Sequence, residues 1–213
     1  MGTRRSELLL LCRLSAPIAL TQVGLMMTGV VDTLMVARLD VESLGASALG
    51  NMWQWSWMSL GVGLVMGIDP MISQAHGRGD GPATALALHR GVLAGLLMSV
   101  PIGAAQLLTE PGLLLLGQAP AVAARAAEYN LLKLPTVPCF LVFSALRAYL
   151  QGRTLMAPAT WAMWITNAFN VLFNWALIFG HLGMPALGLA GAAIASSLTT
   201  FMLPVVLVLW VRM

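Results

Sequence analysis

Residues 187–211 read LGLAGAAIASSLTTFMLPVVLVLWV, a run without one Asp, Glu, Lys, Arg or His. As an α-helix it rises about 37 Å at about 1.5 Å per residue, enough to cross a hydrocarbon core about 30 Å thick. A β-barrel strand would be half as long and would alternate apolar with polar positions. Five more apolar runs, bounded by charge, Pro or Gly, fall at about 14–38, 44–68, 86–108, 129–151 and 156–180, each long enough for a crossing. The chain has 213 residues, 59% hydrophobic and 9% charged, whereas a soluble domain carries about 25% charged residues. A water-soluble surface cannot be built from that composition. The expectation is an all-α integral membrane protein, a bundle of six transmembrane helices in one membrane domain over 1–213, with the lipid bilayer as its solvent.

Charge gives the topology. The net charge of +3 is spread along the chain, which argues against a nucleic-acid groove and for ordinary signals at helix ends. Arg4, Arg5 and Arg13 precede the first run, Arg78 and Arg90 flank the second connection, Arg147 and Arg153 the fourth, and Arg212 closes the last. The positive-inside rule makes these ends cytoplasmic, so both termini face the cytoplasm of a multi-pass protein of the cell (inner) membrane. Arg38 and Lys133 break the alternation and are expected to snorkel from helix ends. Arg13 interrupts the first run and no small-residue cleavage site follows, so the first span is read as retained. Cys12 and Cys139 lie in apolar segments as small hydrophobes, and no disulfide or metal site is expected.

A carboxylate in hydrocarbon is costly and usually functional, which singles out Asp32 in Gly29-Val30-Val31-Asp32-Thr33-Leu34-Met35. Thr21, Thr28 and Asp32 are spaced by seven and four and share one stripe of the first span with small neighbours Gly24 and Gly29. Asn167, Asn170 and Asn174, spaced by three and four, share one face of the fifth. An amide offers a carbonyl oxygen to a cation and N–H donors to a carboxylate. Together the two faces can make a site where Asp32 takes up a proton, its charged form being disfavoured by desolvation, or helps to coordinate Na⁺ through oxygens. The plainer alternative is interhelical hydrogen bonding, common for polar residues in bundles.

In the second span Ser47, Asn51, Gln54 and Met58 form another stripe, with Asn51 and Gln54 the better candidates for a substrate cavity. Trp53, Trp55 and Trp57 cover several faces and read as an interfacial belt. His76 and His89 read as solvated loop residues without a third metal ligand, Asp69 before Pro70 as a capping or loop group, and Gly61 and Gly63 as close helix packing. Pro17 lacks an N–H and is a candidate hinge in the first span. No nucleophile–base, metalloprotease or phosphate-cradling motif is present, so no enzyme, catalytic residue or cofactor is expected.

Several segments, in order, resemble the multidrug and toxic compound extrusion (MATE) transporters, in particular their bacterial NorM-like branch. They are Ala16-Pro17-Ile18-Ala19-Leu20-Thr21-Gln22, Gly29 to Val36, Gly67-Ile68-Asp69-Pro70-Met71-Ile72-Ser73-Gln74-Ala75-His76-Gly77, Leu146 to Gly152, Asn170-Val171-Leu172-Phe173-Asn174 and Gly188 to Ser196. The resemblance implies an antiporter that expels cationic organic compounds while H⁺ or Na⁺ enters, by alternating access between two six-helix lobes. By position it assigns ion coupling to Asp32, Asn170, Asn174 and Ser196, a hinge to Pro17, and leaves Thr28, Asn51, Gln54 and Asn167 as cavity candidates. Archaeal members have an aspartate where this chain has Asn174, which leaves one intramembrane carboxylate here. Family members have about twelve spans in two repeats, so the resemblance covers an amino-terminal half. Such a half needs a second lobe or a homodimer partner to transport. The rival expectation is a non-transporting membrane scaffold or a truncated fragment of such a transporter.

Overall fold

The computed structural model describes residues 2–212, with side-chain surroundings for 15–210. The side chains of Arg4, Arg5, Cys12, Arg13 and Arg212, on which part of the topology and thiol reading rests, lie outside the described residues. Among the described residues the chain is helical without strands: α1 Gly2–Val36, α2 Val41–Met66, α3 Asp69–Gly77, α4 Gly81–Leu107, α5 Thr109–Leu115, α6 Pro120–Leu132, α7 Thr136–Gly152, α8 Ala157–Phe179 and α9 Gly188–Arg212. Four segments are long and apolar enough to cross a bilayer: Ser15–Val36, Gly81–Leu107, Ala157–Phe179 and Gly188–Trp210. The pair α6 and α7, bent by 54° at its break, makes a fifth if counted as one broken span. With 26 residues α2 has the length, but Asn51, Gln54 and three tryptophans dilute its apolar character.

The fourth run, expected as one helix over 129–151, is therefore broken. Helix α6 starts at Pro120 and ends at Leu132, with Lys133 as its cap. Pro135 has no N–H to continue the ladder, and Thr136 closes the gap by donating both its N–H (2.9 Å) and its hydroxyl (2.6 Å) to the Lys133 carbonyl. Polar caps fix other ends. The Asp40 carboxylate accepts the Ser43 N–H at 2.7 Å and starts α2, and Asp80 accepts the Ala83 N–H at 2.9 Å and starts α4. Gly180, at φ 76°, ends α8 in the left-handed conformation that glycine adopts freely.

Three other expectations change. His76 and His89 are exposed but sit on α3 and α4 rather than in a loop. Asp69 makes no capping hydrogen bond; it opens α3 with one carboxylate oxygen buried and unpartnered. Burial raises its pKa, and the charge of Arg147 partly offsets that. Gly61 does allow close packing, since a Cβ there would lie 2.9 Å from the Leu141 side chain, but nothing lies within 4 Å of a Cβ at Gly63.

Packing runs around the bundle, α1 on α8, α8 on α9, α9 on α7, α7 on α4 and α4 on α2, while α1 and α2 touch sparingly. Met58, Val65, Ile72, Val137 and Leu141 knit α2, α3 and α7 into one core. Phe143, Leu150, Met163, Leu203 and Leu207 join α7, α8 and α9 in another. Helices α8 and α9 approach backbone to backbone, where a Cβ on Gly191 would lie 2.4 Å from the Leu177 carbonyl oxygen. Leu93, Leu97, Val100, Trp161 and Phe201 point outward and are exposed, as lipid-facing side chains are.

Candidate functional site

Asp32 projects from α1 toward α8 and α9 and is 8% exposed. Its Oδ1 accepts from Asn170 Nδ2 at 3.1 Å and from Asn174 Nδ2 at 2.6 Å, and its Oδ2 accepts from the Ser196 hydroxyl at 2.8 Å. Asn174 Nδ2 also reaches Asn170 Oδ1 at 3.1 Å. The spacing of four on α8 stacks the two amides one turn apart on the face that meets α1. The four residues assigned to ion coupling are thus brought into one cluster, in which the carboxylate collects three donors. The Asn174 carbonyl oxygen is buried without a partner, an orphan that normally calls for an explanation. All the oxygens of this cluster are hard ligands, the chemistry that suits Na⁺ or a proton.

Asp32 and Ser196 form part of the wall of a cavity of about 570 Å³, within the range of small-molecule sites. Of the four residues expected to line it, Thr28, Asn51 and Gln54 do. Asn167 does not: it belongs to the α1–α8 seam, donating to the Gly24 carbonyl at 2.8 Å and accepting the Thr28 hydroxyl. Gln54 donates to Thr136 Oγ1 at 2.8 Å, which ties α2 to the start of α7. Met58, Trp55 and Phe140 supply an apolar wall, with the rings of Trp55 and Phe140 edge to face at 5.4 Å. Trp53 ties α2 to the end of α4: its indole N–H donates to the Ala105 carbonyl at 2.9 Å. Pro17 lies inside α1, which runs on unbroken; its carbonyl accepts from Thr21 at 2.8 Å and from Thr160 at 3.0 Å.

Lys133 is the residue that the sequence reading misplaced. It does not snorkel: it is 7% exposed, lines the cavity, and donates from Nζ to Asn51 Oδ1 at 2.6 Å. Four residues earlier, the ring of Tyr129 lies under the ammonium at 4.8 Å, and the Tyr129 hydroxyl is turned toward Asn51 and Ser196. The available signal was a lysine within an apolar run and two residues before a proline, where a helix break turns a side chain inward.

The MatE family model matches residues 17–176. Among curated proteins the chain is 31% identical over 206 residues to the multidrug resistance protein NorM of Aliivibrio fischeri, covering 95% of this chain and 44% of that protein. It is 33% identical over 202 residues to the probable multidrug resistance protein NorM of Bradyrhizobium diazoefficiens, covering 93% and 43%. Among solved structures it resembles the eukaryotic MATE transporter AtDTX14, with a TM-score of 0.86 at 21% identity over 94% of this chain and 44% of that one. A MATE protein in a bent conformation gives a TM-score of 0.83 at 23% identity, over 93% and 44%. The chain therefore spans less than half the length of the relatives it matches.

Proposed function

Because this chain belongs to the MatE family, we propose that it is one six-helix lobe of a multidrug efflux antiporter, in which an organic cation leaves as H⁺ or Na⁺ enters. The observation that carries this reading is the Asp32 cluster: a buried carboxylate, ringed by three donors from α8 and α9, at the wall of a substrate-sized cavity. Such a carboxylate is expensive in hydrocarbon and, where it persists, usually marks function.

The residues present can serve either ion. With the amide nitrogens turned to Asp32, the carboxylate is satisfied with no ion bound. Turning both amides over would present the Asn170 and Asn174 carbonyl oxygens beside Asp32 and Ser196 Oγ, an all-oxygen set for Na⁺. Protonation instead removes one acceptor and releases one of the donors. Either event changes which hydrogen bonds hold α1 to α8 and α9, and a change at that seam is how ion binding would reach the cavity.

In this reading all 213 residues form one membrane domain in the cell membrane, with both termini cytoplasmic. Helix α2 is the sixth crossing, its polar stripe turned to the cavity. Alternating access is motion of one repeat against another, so the facing wall comes from a second lobe or a second copy. The test is efflux of a fluorescent organic cation from pump-deficient cells expressing this chain, native against Asp32→Asn at matched membrane levels. Efflux by the native chain alone, lost in the variant, supports coupling through Asp32; equal efflux by both overturns it.

A further inference from the structure

Helix α4 packs along the broken span α6–α7, and this seam changes character along its length. Against α7 it is apolar and close-packed: a Cβ on Gly95 would lie 3.2 Å from the Leu141 Cβ, and Ile102 and Leu141 share one core. At the break, a Cβ on Gly103 would lie 3.6 Å from the Leu134 side chain. These contacts run antiparallel, so Gln106, a turn further along α4, comes level with Asn130, a turn back on α6. Thr109 completes the group: its hydroxyl accepts Asn130 Nδ2 at 3.1 Å and donates to the Gln106 carbonyl at 2.6 Å. Gln106, Thr109 and Asn130 are 2%, 0% and 1% exposed. Among the described residues, Gln106 Nε2, Gln106 Oε1 and Asn130 Oδ1 have no hydrogen-bond partner. Turning either amide over exchanges an orphaned donor for an orphaned acceptor and does not satisfy both. Gly50 is the residue of α2 that faces Asn130 Oδ1, and a Cβ there would crowd that oxygen at 3.1 Å.

We propose that Gln106, Thr109 and Asn130 form a buried water-binding site that joins α4 and α5 to α6 through solvent. A cation would suit the two amide oxygens but not the Nε2 donor. Water both donates and accepts, and buried water typically bridges polar groups that the protein leaves unpaired. Water molecules here accept from Gln106 Nε2 and donate to Gln106 Oε1 and Asn130 Oδ1. A joint made through water accommodates small shifts of α6 that the close-packed contacts of Leu141 on α7 do not. The site stands whether or not the chain transports.

X-ray radiolysis of the purified full chain in lipid nanodiscs makes hydroxyl radicals from bound water as well as bulk water, and mass spectrometry locates the side chains they modify. Leu113, one turn past Thr109 with its side chain leaning back over that turn, is the reporter. Leu141, like Leu113 0% exposed, lies in an apolar core and is the control. Leu113 should be modified several-fold faster than Leu141. In Gln106→Met, which keeps the side-chain length and removes the amide, that excess should fall and the unfolding midpoint should not rise, because satisfied hydrogen bonds are lost. Modification of Leu113 as slow as that of Leu141 in the native chain overturns the inference, and so does an excess unchanged in Gln106→Met. A higher midpoint in Gln106→Met overturns it as well, since deleting a dry, orphaned amide is stabilising. Modification of Leu113 that Na⁺ suppresses at constant ionic strength would put a cation in the site and equally overturn the assignment to water.

Discussion

Replacing Asp32 by alanine removes the acceptor on which three buried donors converge, and the loss can be followed donor by donor. Asn174 Nδ2 keeps its bond to Asn170 Oδ1 at 3.1 Å. Asn170 Nδ2 loses its acceptor, and the Ser196 hydroxyl is left with only the Tyr129 hydroxyl beside it, on residues 0% and 5% exposed. An orphaned buried donor costs about 1–3 kcal/mol. Ser196 can recover part of this by turning to a carbonyl of its own helix, and the burial cost of the carboxylate disappears with it. The net loss should be about 2–4 kcal/mol, which at about 2–4 °C per kcal/mol for a chain of this size lowers the unfolding midpoint by about 5–15 °C. Asp32→Asn keeps one carbonyl oxygen for these donors and should fall about half as far. The assay is thermal unfolding of purified chain in a fixed detergent, with the Asp32→Ala/Ser196→Ala double variant closing the cycle. Coupling of about 1 kcal/mol or more is expected between these partners. An Asp32→Ala chain as stable as the native one, or a strictly additive double variant, would show that the cluster is not a satisfied network.

At the α8–α9 crossing, Gly191→Ala places a Cβ 2.4 Å from a backbone oxygen that cannot give way, so it should destabilise by about 1–3 kcal/mol or more in the same assay, while Gly63→Ala, with open space around it, should be neutral. Asn174→Asp sets a second carboxylate beside Asp32, and Na⁺ should then raise the unfolding midpoint well beyond its effect on the native chain at equal ionic strength; an equal response would remove Asn174 from any cation site. Outside the membrane, the Asp40 carboxyl is held below its ordinary 3.8 by the Ser43 N–H first, then the Ser43 hydroxyl, with Arg125 adding to it. A depressed carboxylate contributes stability above its unfolded value that is lost as pH falls through the folded one, so the stability gap between native and Asp40→Ala chains should close on acidification from pH 6 toward 3; a constant gap would exclude this linkage.

The helical bundle was legible because uncharged runs of bilayer length leave few alternatives, and Asp32 with Asn170 and Asn174 was legible because a spacing of four places groups on one face. Ser196 was found only by resemblance: a serine in an apolar helix is ordinary, and nothing in its spacing says that it faces a carboxylate on α1. Lys133 and the break beside it were missed for one reason. The apolar run over 129–151 is continuous in composition, so hydropathy joins what Pro135 separates, and a lysine at the edge of such a run looks like an anchor. Asn167 failed in the opposite direction, since three asparagines on one face look alike in sequence, yet one turn of helix separates the two that meet Asp32 from the one that meets Gly24.

The choice between hydrogen-bonded glue and coupling site can be argued from the seam that holds Asp32. Helices α1 and α8 meet through polar rungs: Thr160 with Thr21 and the Pro17 carbonyl, Asn167 with Thr28 and the Gly24 carbonyl, and Asn170 and Asn174 with Asp32. Thr160, Asn167 and Asn174 are seven apart, two turns of helix, so the rungs recur along a single line. Most of the rest of α1 over 15–36 is exposed, and lipid gives apolar side chains little reason to leave it for a neighbouring helix. The rungs are therefore what keeps α1 in place, and glue is a real part of their role. Two of the three are closed by neutral hydroxyl, amide and carbonyl groups alone, which shows that this seam needs no charge to hold. A carboxylate at the third rung adds a desolvation cost that an asparagine or threonine would avoid. That rung is also the one to which α9 contributes a donor, and like the Thr28 rung it borders the cavity. A charge placed where three helices meet beside the cavity is what the coupling proposal requires and what adhesion alone does not.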